Sequence, residues 1–352
     1  MRPTGLIVIG GALAALLATA GCSHPLSSLP APQLVTAGAA ALGPDARIYV
    51  IGSNTKGALA MASYDPSSDS WRQEPAPPAG GSAMASGPDG RIYLVGGGAS
   101  GTERYDVTSR SWSAVAPFPI PATALGAASA NGRLYAFGGC TGVDGGTCDE
   151  TASALAASYD VTSDSWSVVA SMPAPNYGMA SSVGSDGRIY SIGSGMGSLG
   201  GPAGGMVIAY DPKVNAWSSE SSLNQPRAGL GAAMGSDGRI YAVGGLAELC
   251  NANAGYASDG GFLDPETCND QLSKSVEAYD VHANRWSFVA PLPTDRFNLA
   301  VAAGADGRIY AFGGSMLATS ATQFNSVPVL IVNAYTPFSN SWTPSGPVPP
   351  PE

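Results

Sequence analysis

Asp237-Gly238-Arg239-Ile240-Tyr241-Ala242-Val243-Gly244-Gly245, followed by Tyr279-Asp280 and then Trp286, is the stretch that decides the fold. Asp-Gly flanked by apolar runs (Ala232-Ala233-Met234 before, Arg239–Val243 after) predicts two strands around a tight turn, expected to be type I′. The Gly-Gly pair permits a sharp exit. Tyr279-Asp280 closes a third strand, with the Asp side chain capping the next turn, and Trp286 lies in a fourth.

The same pattern recurs along the chain. The first Tyr stands at 49, 93, 135, 190, 241 and 310. The second Tyr and its Trp pair as 64 and 71, 105 and 112, 159 and 166, 210 and 217, 279 and 286, 335 and 342, always seven apart. All six Trp and twelve of the fourteen Tyr are used in this way, which excludes chance. Asn131-Gly132 replaces Asp-Gly in the third repeat and Asp45-Ala46 in the first; Thr336 replaces the capping Asp in the last.

Four antiparallel strands cannot bury both of their faces alone, but stacking such units around an axis does so with few exposed edges. The Gly-Gly, Tyr-Asp and Trp arrangement resembles the kelch repeat over residues 34–345. The resemblance implies an all-β, six-bladed kelch-type β-propeller with four antiparallel strands per blade. The phase of the repeats places all four strands of each blade in one repeat, so no blade needs to be split between the termini.

Outside the propeller, residues 1–21 read as a signal peptide, with Arg2 before the uncharged run Gly5–Ala20. Thr19-Ala20-Gly21-Cys22 resembles a bacterial lipobox, which implies cleavage before Cys22 and acylation of its sulfur. Residues 22–33 then form the lipidated Cys and a Pro- and Ser-rich tether, and 346–352 a Pro-rich tail. The expected setting is the bacterial cell envelope, outside the cytoplasm, with the protein, read as a monomer, held to the membrane by lipid.

Charged residues make up only 12 % of the chain, and the net charge is −10. An acidic surface without a Lys/Arg cluster excludes nucleic acid as a partner class.

The segment from the first Tyr to the second, which carries the strand 2–3 loop, varies from 12 residues in the second repeat to 38 in the fifth, while the other turns are uniform. Scaffold positions keep their spacing and grafted function tolerates insertion, so the face built from the 2–3 and 4–1 loops is the functional candidate. The four Cys after Cys22 lie in these loops, and two local disulfides, Cys140–Cys148 and Cys250–Cys268, are expected in an exported chain. The fifth repeat's loop also gathers Asp259, Asp264, Glu266 and Asp270, a calcium-type composition without EF-hand spacing; solvated acid is the commoner reading, and no metal or cofactor is assigned.

Ten residues after each Trp the chain re-enters strand 1 near the axis. Those positions read Gly81, Ala122, Asn176, Arg227 and Arg296. Arg227 and Arg296, with Asn176, Tyr177 and Asn298, are the expected ligand-binding ring, suited to a carboxylate. The plainer alternative has them hydrogen-bonding loop carbonyls. A copper radical oxidase on kelch blades needs two His among its ligands, and the two here, His24 in the tether and His282 in a 3–4 turn, do not meet. No GxSxG, HExxH or P-loop pattern occurs. The sequence therefore reads as a binding module for a protein or an acidic glycan rather than an enzyme. The alternative is a sugar-modifying enzyme resembling the kelch-type sialic-acid mutarotases, which acid–base residues at the channel mouth would favour.

Overall fold

The computed structural model describes residues 36–54, 58–78, 80–97, 101–141, 152–194, 202–250, 268–318, 325–328 and 331–345. The expected signal peptide, Cys22, the expected tether, Cys148, the acidic stretch at 259–266 and the Pro-rich tail lie outside them. The chain divides into Met1–Pro30, wholly outside the described residues, and Ala31–Glu352.

The second unit carries six four-stranded antiparallel sheets, each drawn from one repeat. Blade 1 is β1 (Thr36–Leu42), β2 (Ile48–Ser53), β3 (Leu59–Asp65) and β4 (Ser70–Glu74). Blade 2 is β5 (Ala83–Ser86), β6 (Ile92–Val95), β7 (Thr102–Asp106) and β8 (Ser111–Val115). Blade 3 is β9 (Thr123–Ala130), β10 (Arg133–Cys140), β11 (Ala156–Asp160) and β12 (Ser165–Val168). Blade 4 is β13 (Ala180–Val183), β14 (Ile189–Ile192), β15 (Val207–Asp211) and β16 (Ala216–Ser219). Blade 5 is β17 (Gly231–Met234), β18 (Ile240–Val243), β21 (Val276–Asp280) and β22 (Arg285–Phe288), interrupted by a hairpin of β19 (Leu246–Cys250) and β20 (Cys268–Leu272). Blade 6 is β23 (Ala300–Ala303), β24 (Ile309–Phe312), β27 (Val332–Thr336) and β28 (Ser341–Ser345), interrupted by β25 (Ser315–Ala318) and β26 (Asn325–Pro328). The first strands pack in a closed ring, β1 on β5, β9, β13, β17, β23 and back to β1. The six-bladed propeller, with no blade shared between the chain ends, is as the repeats predict.

The repeated aromatics hold neighbouring blades together. The first-motif Tyr of each blade packs its ring on the second-motif Tyr of the next: Tyr49 on Tyr105 and Tyr93 on Tyr159 at 5.7 Å, Tyr135 on Tyr210 at 5.6 Å, Tyr190 on Tyr279 at 5.5 Å. Tyr241 meets Tyr335 at 5.2 Å, and Tyr310 meets Tyr64 at 5.5 Å, closing the circle. These pairs sit in six apolar clusters, each shared by two adjacent blades. A buried Tyr hydroxyl needs a partner. The Asp four residues earlier accepts it in five blades, as Tyr241 to Asp237 Oδ2 at 2.7 Å.

Each later blade is also latched through its Trp. Trp166 Nε1 donates to the carbonyl of Ala116, while Ala116 N donates to Asp164 Oδ1 in the 3–4 turn of the Trp's blade. Ala170, Ser221 and Ala290 repeat this pair of bonds with Trp217 and Asn215, Trp286 and Asn284, Trp342 and Asn340. Between blades 1 and 2, Trp112 bonds the Pro75 carbonyl, and Arg110 replaces the Asx residue, reaching the buried Glu74 at 3.0 Å. Trp71 Nε1, at the seam of blades 6 and 1, is buried and has no hydrogen-bond partner among the described residues.

One expectation is corrected. The Asp-Gly turns are not type I′, because Asp89, Asp186, Asp237 and Asp306 do not take positive φ. The Gly alone is left-handed, as Gly238 at φ +80, and its N–H bonds the Gly235 carbonyl three residues back. That is a turn closed by a left-handed glycine, and it frees the Asp to cap the following Arg N–H. Only Asn131-Gly132 has both central residues left-handed, at φ +48 and +73.

Candidate functional site

Loops 2–3 and 4–1 emerge on the face where each first strand begins. At that end the inner strands enclose a pocket of about 130 Å³ on the axis. Its wall is small or apolar: Gly38, Ala83, Ala180 and Ala300 on the strands, Leu230 and Leu299 at their starts. Among the described residues, none that lines it carries a titratable side chain. Ser181, on this wall, bonds Ala127 of blade 3 and so staples two blades.

Above the pocket runs a backbone collar. Ala124, Gly178, Gly229 and Asn298 hold one register position in blades 3–6, all left-handed at φ +54, +61, +59 and +50. Gly178 N donates to the Ala124 carbonyl and Asn298 N to that of Gly229, both at 2.7 Å.

The expected ring of ligand-binding side chains is not at the surface. Arg227 and Arg296 are fully buried, at 0 % exposure. Asn176 and Tyr177 are buried as well, and only Asn298 is exposed. The side chains at 176, 227 and 296 turn inward to the carbonyl of the first Gly ending strand 2: Gly193 at 3.0 Å, Gly244 at 2.9 Å and Gly313 at 3.1 Å. Each Arg then spans to the residue before strand 3, Ser275 or Ile331. Arg227 ends on Glu277 at 3.0 Å, Arg296 on Asn333 Oδ1 at 2.6 Å. Desolvation pulls both guanidinium groups down to about 10, against the Glu277 charge in the first case. The two Arg are therefore clamps that fix the roots of the longest loops, not anchors for an acidic ligand. The physical reason is spacing: a long side chain at this lead-in reaches its own blade's carbonyls before it reaches solvent.

Sequence reasoning missed the partners. They stand two residues before the second-motif Tyr, as Glu277 and Asn333, and the only other acid there is Glu103 in blade 2.

Insertions in blades 5 and 6 begin and end as hairpins rooted on the lead-ins: Leu246 exchanges two backbone bonds with Ala228, and Ser315 two with Phe297. Register sets Cys250 opposite Cys268 across β19 and β20. Cys140 is buried at the root of the third loop and is disulfide-bonded. His282 is exposed in a 3–4 turn on the opposite face, as its position in the repeat requires.

The comparisons agree with this architecture. A family model described as "Kelch motif" matches residues 121–173. Kelch-like protein 15 of Danio rerio is 26 % identical over 60 % of this chain and 33 % of its own length. Kelch-like ECH-associated protein 1A of the same species is 33 % identical over 32 % of this chain and 15 % of its own length. Beta-scruin of Limulus polyphemus is 26 % identical over 64 % of the chain, 22 % of its own length. The matched region thus spans a third or less of these relatives. The solved structure titled "Structure of YjhT" superposes with a TM-score of 0.69 at 17 % identity, covering 92 % of this chain and 99 % of that one, and so shares the fold. The protein is a kelch-repeat β-propeller.

Proposed function

We propose that this protein is an extracytoplasmic, lipid-anchored kelch propeller that binds a protein ligand on its 2–3/4–1 face. One observation carries the reading: the loop insertions, the two extra hairpins and the Cys residues gather on that face, while the opposite face keeps uniform turns. The clamps Arg227 and Arg296 support it, because they hold the roots of those hairpins firmly enough to present a fixed surface. The pocket wall without titratable groups favours binding over the sugar-modifying alternative, which needs proton transfer at the mouth.

The test is site-specific photocrosslinking in the native envelope. A crosslinker at Asn298 should capture a discrete protein, and one at His282 should not. Capture from His282 alone, or anomer exchange of sialic acid by the purified chain, would turn the assignment over.

A further inference from the structure

Blade 5 shows what a strand-3 carboxylate at this face normally receives. Glu277 accepts from Arg227 Nη2 at 3.0 Å, from Asn224 N at 2.9 Å, from Asn224 Nδ2 at 2.8 Å and from Gln225 N at 3.2 Å. Glu103 of blade 2 occupies the equivalent place, two residues before Tyr105. Its lead-in cannot do the same. Counted from the Trp, Pro78 stands where blade 5 has Asn224, and Gly81 where it has Arg227. Proline has no N–H and glycine no side chain. Leu94, replacing Ala242, packs into the space beside Gly81, where an added Cβ would collide with its Cγ.

The result is a carboxylate with no hydrogen-bond or ion-pair partner among the described residues. Glu103 Oε2 is shielded from solvent and has no hydrogen bond, an expensive state for a charged oxygen. The residue is not fully enclosed: it is of intermediate exposure, one position in from the loop end of β7. It shares a strand face with Tyr105, which packs on Tyr49 of blade 1, so it lies along the seam of blades 1 and 2. The tyrosine-to-tyrosine segment of blade 2, which carries its 2–3 loop, is the shortest of the six.

We propose that Glu103 is the docking point for a guanidinium or ammonium group of the protein ligand, which enters the seam from the loop face and takes the part that Arg227 plays for Glu277. This rests on the protein-binding reading, and it reverses the ligand polarity that the arginines suggested. A net charge of −10 attracts such a cationic segment from a distance.

The probe is Nα-acetylarginine amide, titrated into the folded chain with 13C-labelled Glu carboxylates, with Nα-acetylcitrulline amide as the neutral control. The Glu103 resonance should move saturably with arginine and not with citrulline. The Glu103→Gln variant should lose the response of neighbouring resonances at least tenfold. The Gly81→Arg/Leu94→Ala double variant should fill the place in cis and abolish the response too. A linear shift shared by all surface carboxylates, or equal response to citrulline, overturns the site, whatever the double variant does. The two proposals fail separately. If a protein crosslinked at Asn298 binds the Glu103→Gln variant undiminished, the anchor is wrong and the face stands. If arginine saturates Glu103 but nothing crosslinks at Asn298, the site stands and the assignment of the face to a protein ligand is wrong.

Discussion

Ala46 holds the left-handed corner, φ +63, that glycine fills in the Asp-Gly turns of four other blades. A non-glycine residue there costs about 1–2 kcal/mol, partly offset by the entropy that glycine adds to the unfolded chain. Ala46→Gly should therefore stabilise the domain by about 0.5–1 kcal/mol in denaturant titration, and a loss of stability would show that the turn tolerates the side chain. Glu103 makes a second test at this scale. Burial alone raises its pKa, with no neighbouring charge contributing. The folded state thus favours the protonated acid. That stabilisation is complete below the unfolded value, about 4.3, and is lost as pH rises through the raised folded value. Glu103→Gln should melt higher than the parent at pH 7–8, and the gap should close towards pH 4. A gap independent of pH would place the effect elsewhere.

Among the elements, the Trp latches and the Arg clamps are separable. Trp217→Phe removes a hydrogen bond to Ala170 and strands that carbonyl, whereas Trp71→Phe removes an N–H that has no partner among the described residues. The first should cost about 1 kcal/mol more than the second in matched unfolding curves. Equal costs would reduce the latch to packing. Arg227→Ala leaves Glu277 buried without its counter-charge, and a loss of about 3–5 kcal/mol is expected, which a solvent-facing rim residue would not show. The contrast marks what was legible in the sequence. The strands, the blade count and the variable face follow from Tyr and Trp spacing, because those residues recur and their packing tolerates no insertion. The carbonyl bonds of Arg227 match the plainer alternative read from the sequence, but its ion pair did not follow, because its partner Glu277 is fifty residues away across an insertion and an acid occurs at only one other equivalent position of the repeat. The hairpins of blades 5 and 6 were read as loops, since Leu246–Cys250 and Cys268–Leu272 lack the alternation that marks a half-buried strand.

At the scale of the whole molecule, every sheet is complete without the inserted loops. Reducing agent should therefore change protease sensitivity on the 2–3/4–1 face while leaving the far-ultraviolet circular dichroism of the propeller in place; collapse of both together would mean that a disulfide holds the blades. The proposed anchor is tested independently by Cys22→Ala, which should move the protein from the detergent phase to the aqueous phase or leave its precursor unprocessed.

The ring has five joints bridged by peptide and one that is not. Blades 6 and 1 meet through non-covalent contacts, among them Tyr310 on Tyr64 and Trp71 against Phe312 at 5.7 Å. Mechanically the circle is a necklace with a clasp. A load applied between the chain ends falls first on that clasp, while the other joints hang in parallel behind covalent links. Pulled by its ends in a single-molecule trap, the protein should open there before any blade unravels, giving an early low-force event with little gain in length. The later, higher-force events should then release one blade's length of chain apiece.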